Sequence, residues 1–189
     1  MSTVHHPVDV LIEEHEIIQE VLKAIDVKIR ALEAGEPLEE SFWFPATGFI
    51  VNYVERRHET KEEDLLLPAL VECGFTEFEG PLADTCKQHI KARDLAFTMR
   101  HACGRGDSKA LAEAAKEFNR LLRLHIEHEN TVLYPQAREA LSDATVAELW
   151  EDFIRLDRRM VSELDYTSIA CDLCSAAGIE FTLPELAHG

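Results

Sequence analysis

From Val8 to about Ala34 apolar residues recur at helical spacing: Leu11, Ile12, Ile18, Val21, Leu22, Ile25, Val27, Ile29 and Leu32. That stripe predicts a long first helix, with Pro7 suited to its first turn and Gly35 and Pro37 to its end. A second helix is expected to run to about Cys73, with Pro45 at its start or at a kink and Gly74 as its stop. Pro68 removes the amide that would bond the Asp64 carbonyl, so a bend is expected there. The segment FTEFEGP reads as a connector, and Pro81 suits the first turn of a third helix from about Leu82 to Ala102. A fourth helix starts behind Asp107 or Ser108, both good caps, and carries an apolar face from Ala110 to Leu124 before bending near Pro135. A shorter fifth helix, from about Thr145 to Leu164, follows the cap at Ser142 and Asp143. The residues beyond it show no clear period and read as an irregular tail.

Four long helices on short connectors predict an all-α fold, an up-down-up-down four-helix bundle with a short fifth helix and an irregular C-terminal tail. Residues 1–141 would form the bundle, with 142–189 packed on it or trailing it. Few glycines and prolines, 8 and 7, argue against a sandwich or barrel built from many tight turns. The net charge of −17 repels phosphate backbones and anionic lipid surfaces, so neither nucleic acid nor membrane is expected as a partner. No basic N-terminal region with an apolar run reads as a signal peptide, and no stretch reaches the length of a membrane span. Five cysteines, an odd number without framework spacing, fit reduced thiols and a cytoplasmic location.

One pattern changes the picture. The stretch HETKEEDLLLP at His58 returns as HIEHENTVLYP at His125, so that His58, Glu62, Leu66 and Pro68 answer to His125, Glu129, Leu133 and Pro135. Residues four apart share a helix face, so each copy presents an imidazole and a carboxylate together. His15 on the first helix and His89 on the third add one imidazole each at mid-length. Four neutral imidazoles and two carboxylates suit iron, manganese or zinc, and spacing alone does not choose among them. They exceed the needs of one ion, and two bridging carboxylates would hold a pair.

His15, then His58 with Glu62, then His89, then His125 with Glu129 resembles the hemerythrin-like cation-binding domain over about residues 7–141. The phrases RHETKEEDLLLPAL and LHIEHENTVLYPQA are similar to that family's two motif helices. The resemblance implies a non-haem centre of two Fe ions with a bridging oxide or hydroxide. It also implies that Glu62 and Glu129 bridge and that His15, His58, His89 and His125 are terminal ligands. Dioxygen, nitric oxide or peroxide become the expected small ligands. The implied roles are dioxygen or nitric oxide binding in oxygen, redox or nitrosative-stress sensing, or else protection by turnover of peroxide or nitric oxide or by iron donation for iron–sulfur repair.

The chain departs from the oxygen carriers, which place two histidines four apart on the third helix; here the residue four before His89 is Thr85. Two positions on a pair of six-coordinate irons are then left without a counted ligand. Glu59 is the candidate further metal ligand by resemblance, ahead of Glu55 and Tyr53, each of which also has an ordinary packing reading. Cys86 would line the pocket as a packed thiol, and His128, beside the site motif, reads as exposed or as a residue backing a ligand. Cys171 and Cys174 form a lone CDLC in the tail, a redox pair, a metal hook or unremarkable thiols, and the tail is a candidate contact for a protein partner.

Overall fold

Helix α1 spans Pro7–Glu33 in the computed structural model, which describes residues 6–159 and 165–183. The Val8 amide donates to His6 Nδ1 at its start, and Gly35, at φ +87°, takes the chain out of its last turn. Residues 40–72 are continuously helical: α2 (Glu40–Phe49), π-helical stretches over Ile50–Glu59 and Glu62–Leu66, then α3 (Leu67–Glu72). This helix begins before Pro45, which lies inside it, because the carbonyl it leaves unpaired belongs to exposed Ser41 and can face water.

Then follow α4 (Gly80–Gly104), α5 (Ser108–His128), a π-helical turn over Glu129–Leu133 and α6 (Tyr134–Ala140). The bends expected at the two prolines are π turns. The Leu67 amide bonds the Glu62 carbonyl and the Tyr134 amide the Glu129 carbonyl, each five residues back and just before a proline that has no amide to offer. The echo in the sequence is thus an echo in the backbone, with a widened turn starting at each motif glutamate.

α7 (Asp143–Arg159) agrees with the expected fifth helix as far as it is described; residues 160–164 lie outside the described residues. The expected irregular tail is corrected. Tyr166–Ala176 is a helix, α8, capped by Asp165, whose carboxylate accepts from the Thr167 and Ser168 amides. It ends on Gly178 at φ +73°, with the Ile179 amide bonded back to the Cys174 carbonyl. Its buried face is Ala170, Leu173 and Cys174, too small and too short to register as an apolar period. All secondary structure among the described residues is helical.

The core has two apolar parts. One gathers Ile18, Val21, Leu22, Trp43, Phe49, Tyr53, Ala96, Met99, Phe118 and Leu122, with Leu173 and Cys174 of α8. The other gathers Val8, Leu11, Leu66, Leu70, Leu82, Leu133 and Tyr134, with Val146, Leu149 and Phe153 of α7. Each fully buried Val, Leu, Ile, Phe or Met among them stabilises by about 1.5–3 kcal/mol. Between the two, along α1, the second helix, α4 and α5, come His15, His58 and Glu62, His89, and His125 and Glu129. A polar layer is therefore sealed by apolar residues on both sides.

Candidate metal centre

All six of these side chains are at most 2% exposed, and their inward atoms converge. Glu62, His89, His125 and Glu129 form one group whose ligand-type atoms lie within 4.8 Å of one another; His15, His58 and Glu129 form a second. Glu129 Oε2 is 3.2 Å from His15 Nε2 and 3.1 Å from His125 Nε2. Glu62 Oε2 is 3.7 Å from His58 Nε2 and 3.3 Å from His89 Nε2. Each glutamate thus reaches from one histidine pair to the other. The rings within a pair are close: 4.6 Å between the centroids of His15 and His58, 4.7 Å between those of His89 and His125.

Burying such a set without a cation is costly. His58 Nε2, Glu62 Oε2 and both carboxylate oxygens of Glu129 are buried without a hydrogen-bond partner. Burial and the neighbouring Glu62 push the Glu129 carboxyl well above the usual range. For Glu62 burial acts upward too, yet His58 and His89 outweigh it and hold that carboxyl well below. His125 is held well below its usual pKa by burial and by His89; His89 is raised, its burial overcome by Glu62 and Glu63. Glu129 thus favours its neutral form and His89 its protonated one, and a cation would take the place of those protons. Orphaned nitrogen and oxygen lone pairs facing one volume are the donor set of a borderline or hard cation, so the residues fit a metal.

What orients the imidazoles went unnoticed in the sequence. Every one of the four has its outer nitrogen next to an oxygen on another helix. His15 Nδ1 is 2.9 Å from Asn130 Oδ1, and His58 Nδ1 3.1 Å from Glu14 Oε2. His89 Nδ1 is 2.8 Å from Glu63 Oε1, and His125 Nδ1 3.0 Å from Gln88 Oε1. With Nδ1–H donated outward, each Nε2 faces in and offers its lone pair wherever it carries no proton. All four acceptors are sequence neighbours of site residues: Glu14 precedes His15, Gln88 precedes His89, and Glu63 and Asn130 follow Glu62 and Glu129. A neighbour on a helix points about 100° away, toward the next helix rather than the centre. That adjacency was the available signal.

Two further residues complete the setting. Lys61 is fully buried, with Nζ 2.5 Å from Glu14 Oε1 and 2.9 Å from Asp157 Oδ1 of α7. Burial would raise the Glu14 carboxyl, but the His58 hydrogen bond and the Lys61 ammonium bring it to about 2. Tyr134 donates to Glu62 Oε1 at 2.7 Å.

The other sequence candidates fall outside the two groups. Glu59 is fully buried and joins a third group of ligand-type atoms, with Glu63 and His89; its Oε2 is 2.7 Å from Arg93 Nη2. Tyr53 belongs to the apolar core, and Glu55 is half-buried, raised to about 7 by burial and by Glu59. Thr85 is fully buried with an unpartnered hydroxyl. Cys171 is exposed and Cys174 buried, both free, the Cys174 thiol 3.6 Å from the Glu20 carbonyl and pushed up to about 11 by burial. A raised, packed thiol is the opposite of a reactive one.

Fold and site together define a helical protein with a buried histidine–glutamate cation site. The family model described as hemerythrin HHE cation binding domain matches residues 6–137 and again 86–170, and the chain belongs to that family. Among curated proteins it is similar to uncharacterised proteins of Mycobacterium bovis and Mycobacterium tuberculosis, at 24% identity over 166 residues. The matched region is 84% of this chain but 64% of theirs, so the chain spans somewhat under two thirds of the relatives' length. No solved structure matches. No described helix is long and apolar enough to cross a membrane.

Proposed function

We propose that this chain is a non-haem di-iron protein that binds dioxygen or nitric oxide at a carboxylate-bridged centre and serves oxygen, redox or nitrosative-stress sensing. His15 and His58 would hold one iron and His89 and His125 the other, with Glu62, Glu129 and an oxide or hydroxide between them. The reading is carried by the placement of Glu62 and Glu129, each within 3.7 Å of a histidine from both pairs. When bound, iron supplies a redox-active Lewis acid able to take up a diatomic ligand.

The chain's own part is to prepare and enclose that chemistry. Asn130, Glu14, Glu63 and Gln88 fix the tautomers of the four imidazoles, and Tyr134 fixes Glu62. The two apolar clusters keep bulk water out. In α1 and α4 the lower-numbered residues of the layer's flanks lie in the Leu70 cluster and the higher-numbered ones in the Trp43 cluster; in the second helix and α5 the order is reversed. That alternation supports an up-down-up-down bundle. Thr85, a small hydroxyl where a carrier would have a fifth imidazole, favours sensing over carriage.

The test is metal content together with optical spectra of the reduced and the air-exposed protein. Two irons per chain and a charge-transfer band that disappears on reduction are expected. Zinc at full occupancy, or a spectrum blind to reduction, would overturn the reading. Catalytic loss of peroxide over many turnovers would move the protein to the protective class instead.

A further inference from the structure

The four acceptors behind the imidazoles form a closed ring. Glu14 on α1 reaches His58 on the second helix, and Glu63 there reaches His89 on α4. Gln88 on α4 reaches His125 on α5, and Asn130 just beyond α5 reaches back to His15 on α1. The internal echo organises this ring. Glu63 and Asn130 hold the same place in the two copies, and Glu14 and Gln88 each precede a histidine. Yet the first half supplies carboxylates and the second amides. Each histidine pair therefore has one imidazole backed by a charge and one backed by a neutral amide.

The two charged supports each line a groove, one of about 360 Å3 running past Glu14, Tyr53 and Arg57, but they differ in how many partners hold them. The Glu14 side chain is 5% exposed, and three cationic or polar partners hold it: Lys61, Arg57 Nε at 3.3 Å, and the His58 ring. Lys61 and Arg57 are in turn tied to Asp157 of α7, at 2.9 and 3.2 Å. Phe153 of the same helix lies under the ammonium, 5.9 Å from ring centroid to Nζ. Removing one member would strand a buried charge, so the members hold one another in place. The Glu63 side chain is 31% exposed, and its only described cationic partner besides His89 is Arg93, itself 36% exposed. A groove of about 290 Å3, lined by Glu63, Leu67, Pro68, Cys86, Ile90 and Arg93 among others, opens onto this pair.

We propose that the two metal positions are unequal by construction. The His89/His125 position exchanges metal through the Glu63–Arg93 groove, and the His15/His58 position is locked by Glu14, Lys61 and Asp157. This rests on the di-iron reading above. For a metal to leave, its imidazoles must turn away, and a ring turns only as easily as its outer hydrogen bond lets go. The Glu63–His89 contact can open into water and be replaced by it. The Glu14–His58 contact opens to water only if Glu14 also shifts from Lys61 and Arg57, which would leave the fully buried Lys61 ammonium with a single carboxylate, Asp157. Helix α7 is then part of what retains one of the two ions. Glu14, Lys61 and Asp157 are positioning residues, since they touch the ligands or one another and not the ion.

The experiment loads the full chain anaerobically with ferrous iron, adds excess ferrous chelator and follows iron release by absorbance. Two phases of equal amplitude are expected, differing in rate by about tenfold or more, the range typical of outer hydrogen-bond partners of metal ligands. Glu63→Gln should speed the fast phase alone. Asp157→Asn should speed the slow phase alone, several-fold, with circular dichroism unchanged. Should Asp157→Asn fold poorly, the paired change Glu14→Gln with Lys61→Met removes both charges at similar volume and should speed the same slow phase. Two irons leaving in one phase would overturn the inequality while the di-iron reading stands, as would Asp157→Asn acting on the fast phase. One iron in total would overturn the di-iron reading and the inequality with it.

Discussion

The Tyr134 hydroxyl donates to Glu62 Oε1 across 2.7 Å, and its ring stacks on His15 with centroids 5.4 Å apart. Its counterpart in the first copy of the echo is Leu67, so only one of the two glutamates gains such a donor from the echo. Burial, together with Glu129 and Glu62, holds the phenol well above its usual pKa, and it remains a neutral donor. Tyr134→Phe keeps the ring and strips Glu62 of its donor. The metal-free protein should lose about 1–3 kcal/mol, the cost of a buried acceptor left unmade, by urea unfolding. Iron content should be kept, because the other oxygen of Glu62 is the one facing His58 and His89. Loss of both irons would show that the tyrosine matters to the metal directly.

Glu62 and Glu129 are the only described side chains that reach both histidine pairs. Changing both to Ala should remove most of the iron. It should also remove the stabilisation that iron gives, which for wild type at a thousandfold excess over Kd is about 4 kcal/mol. Melting curves with and without ferrous iron would then coincide for the variant and separate for wild type. Full iron occupancy in the double variant would defeat the assignment.

The CDLC pair stands apart from the metal. Cys174 packs against α1 and Cys171 faces solvent, on a helix that touches the apolar cluster around Trp43. Replacing Cys171 with Ser should change neither stability nor iron content. Cys174→Ser places a hydroxyl in an apolar setting and should cost about 1–3 kcal/mol in thermal or chemical unfolding, again with iron unchanged. A bleached charge-transfer band in either variant would tie α8 to the centre.

The centre was legible in the sequence because an exact spacing repeats: His and Glu four apart, twice, each followed by Leu and Pro. Of the helices that carry it, α1 and α5 were legible because long apolar stripes at period 3.6 leave little choice, while the second helix and α4 were legible from the prolines and glycines at their ends. Helix α8 was not, since its buried face of Ala170, Leu173 and Cys174 is short and mostly small. Lys61 was not either. A lysine inside an acidic run reads as solvated, and only the approach of Glu14 and Asp157 from two other helices makes its burial tolerable. Contacts between elements far apart in the chain leave no periodic trace, and the ring behind the histidines left only the adjacency of its members to site residues.

Thr85 sits where an oxygen carrier would place a fifth imidazole, and Glu59, the candidate further ligand by resemblance, is engaged with Arg93. With fewer imidazoles the reduced centre should be easier to oxidise and more open to water or a second small ligand. Reduced protein mixed with air should therefore pass to the oxidised spectrum within minutes, without a form that persists for hours and reverses when oxygen is lowered. Glu59→Ala discriminates the role of that side chain. It should retain the iron, because Glu59 joins neither inward group. If Glu59 swings to the metal on loading, the variant should shift both the oxidation rate and the affinity for azide or nitric oxide by about tenfold, the scale set for groups bordering a metal ligand. An unaltered rate and spectrum would assign Glu59 to Arg93 alone. A long-lived, oxygen-reversible spectrum in the parent protein would reverse the larger conclusion and make the chain a carrier despite Thr85.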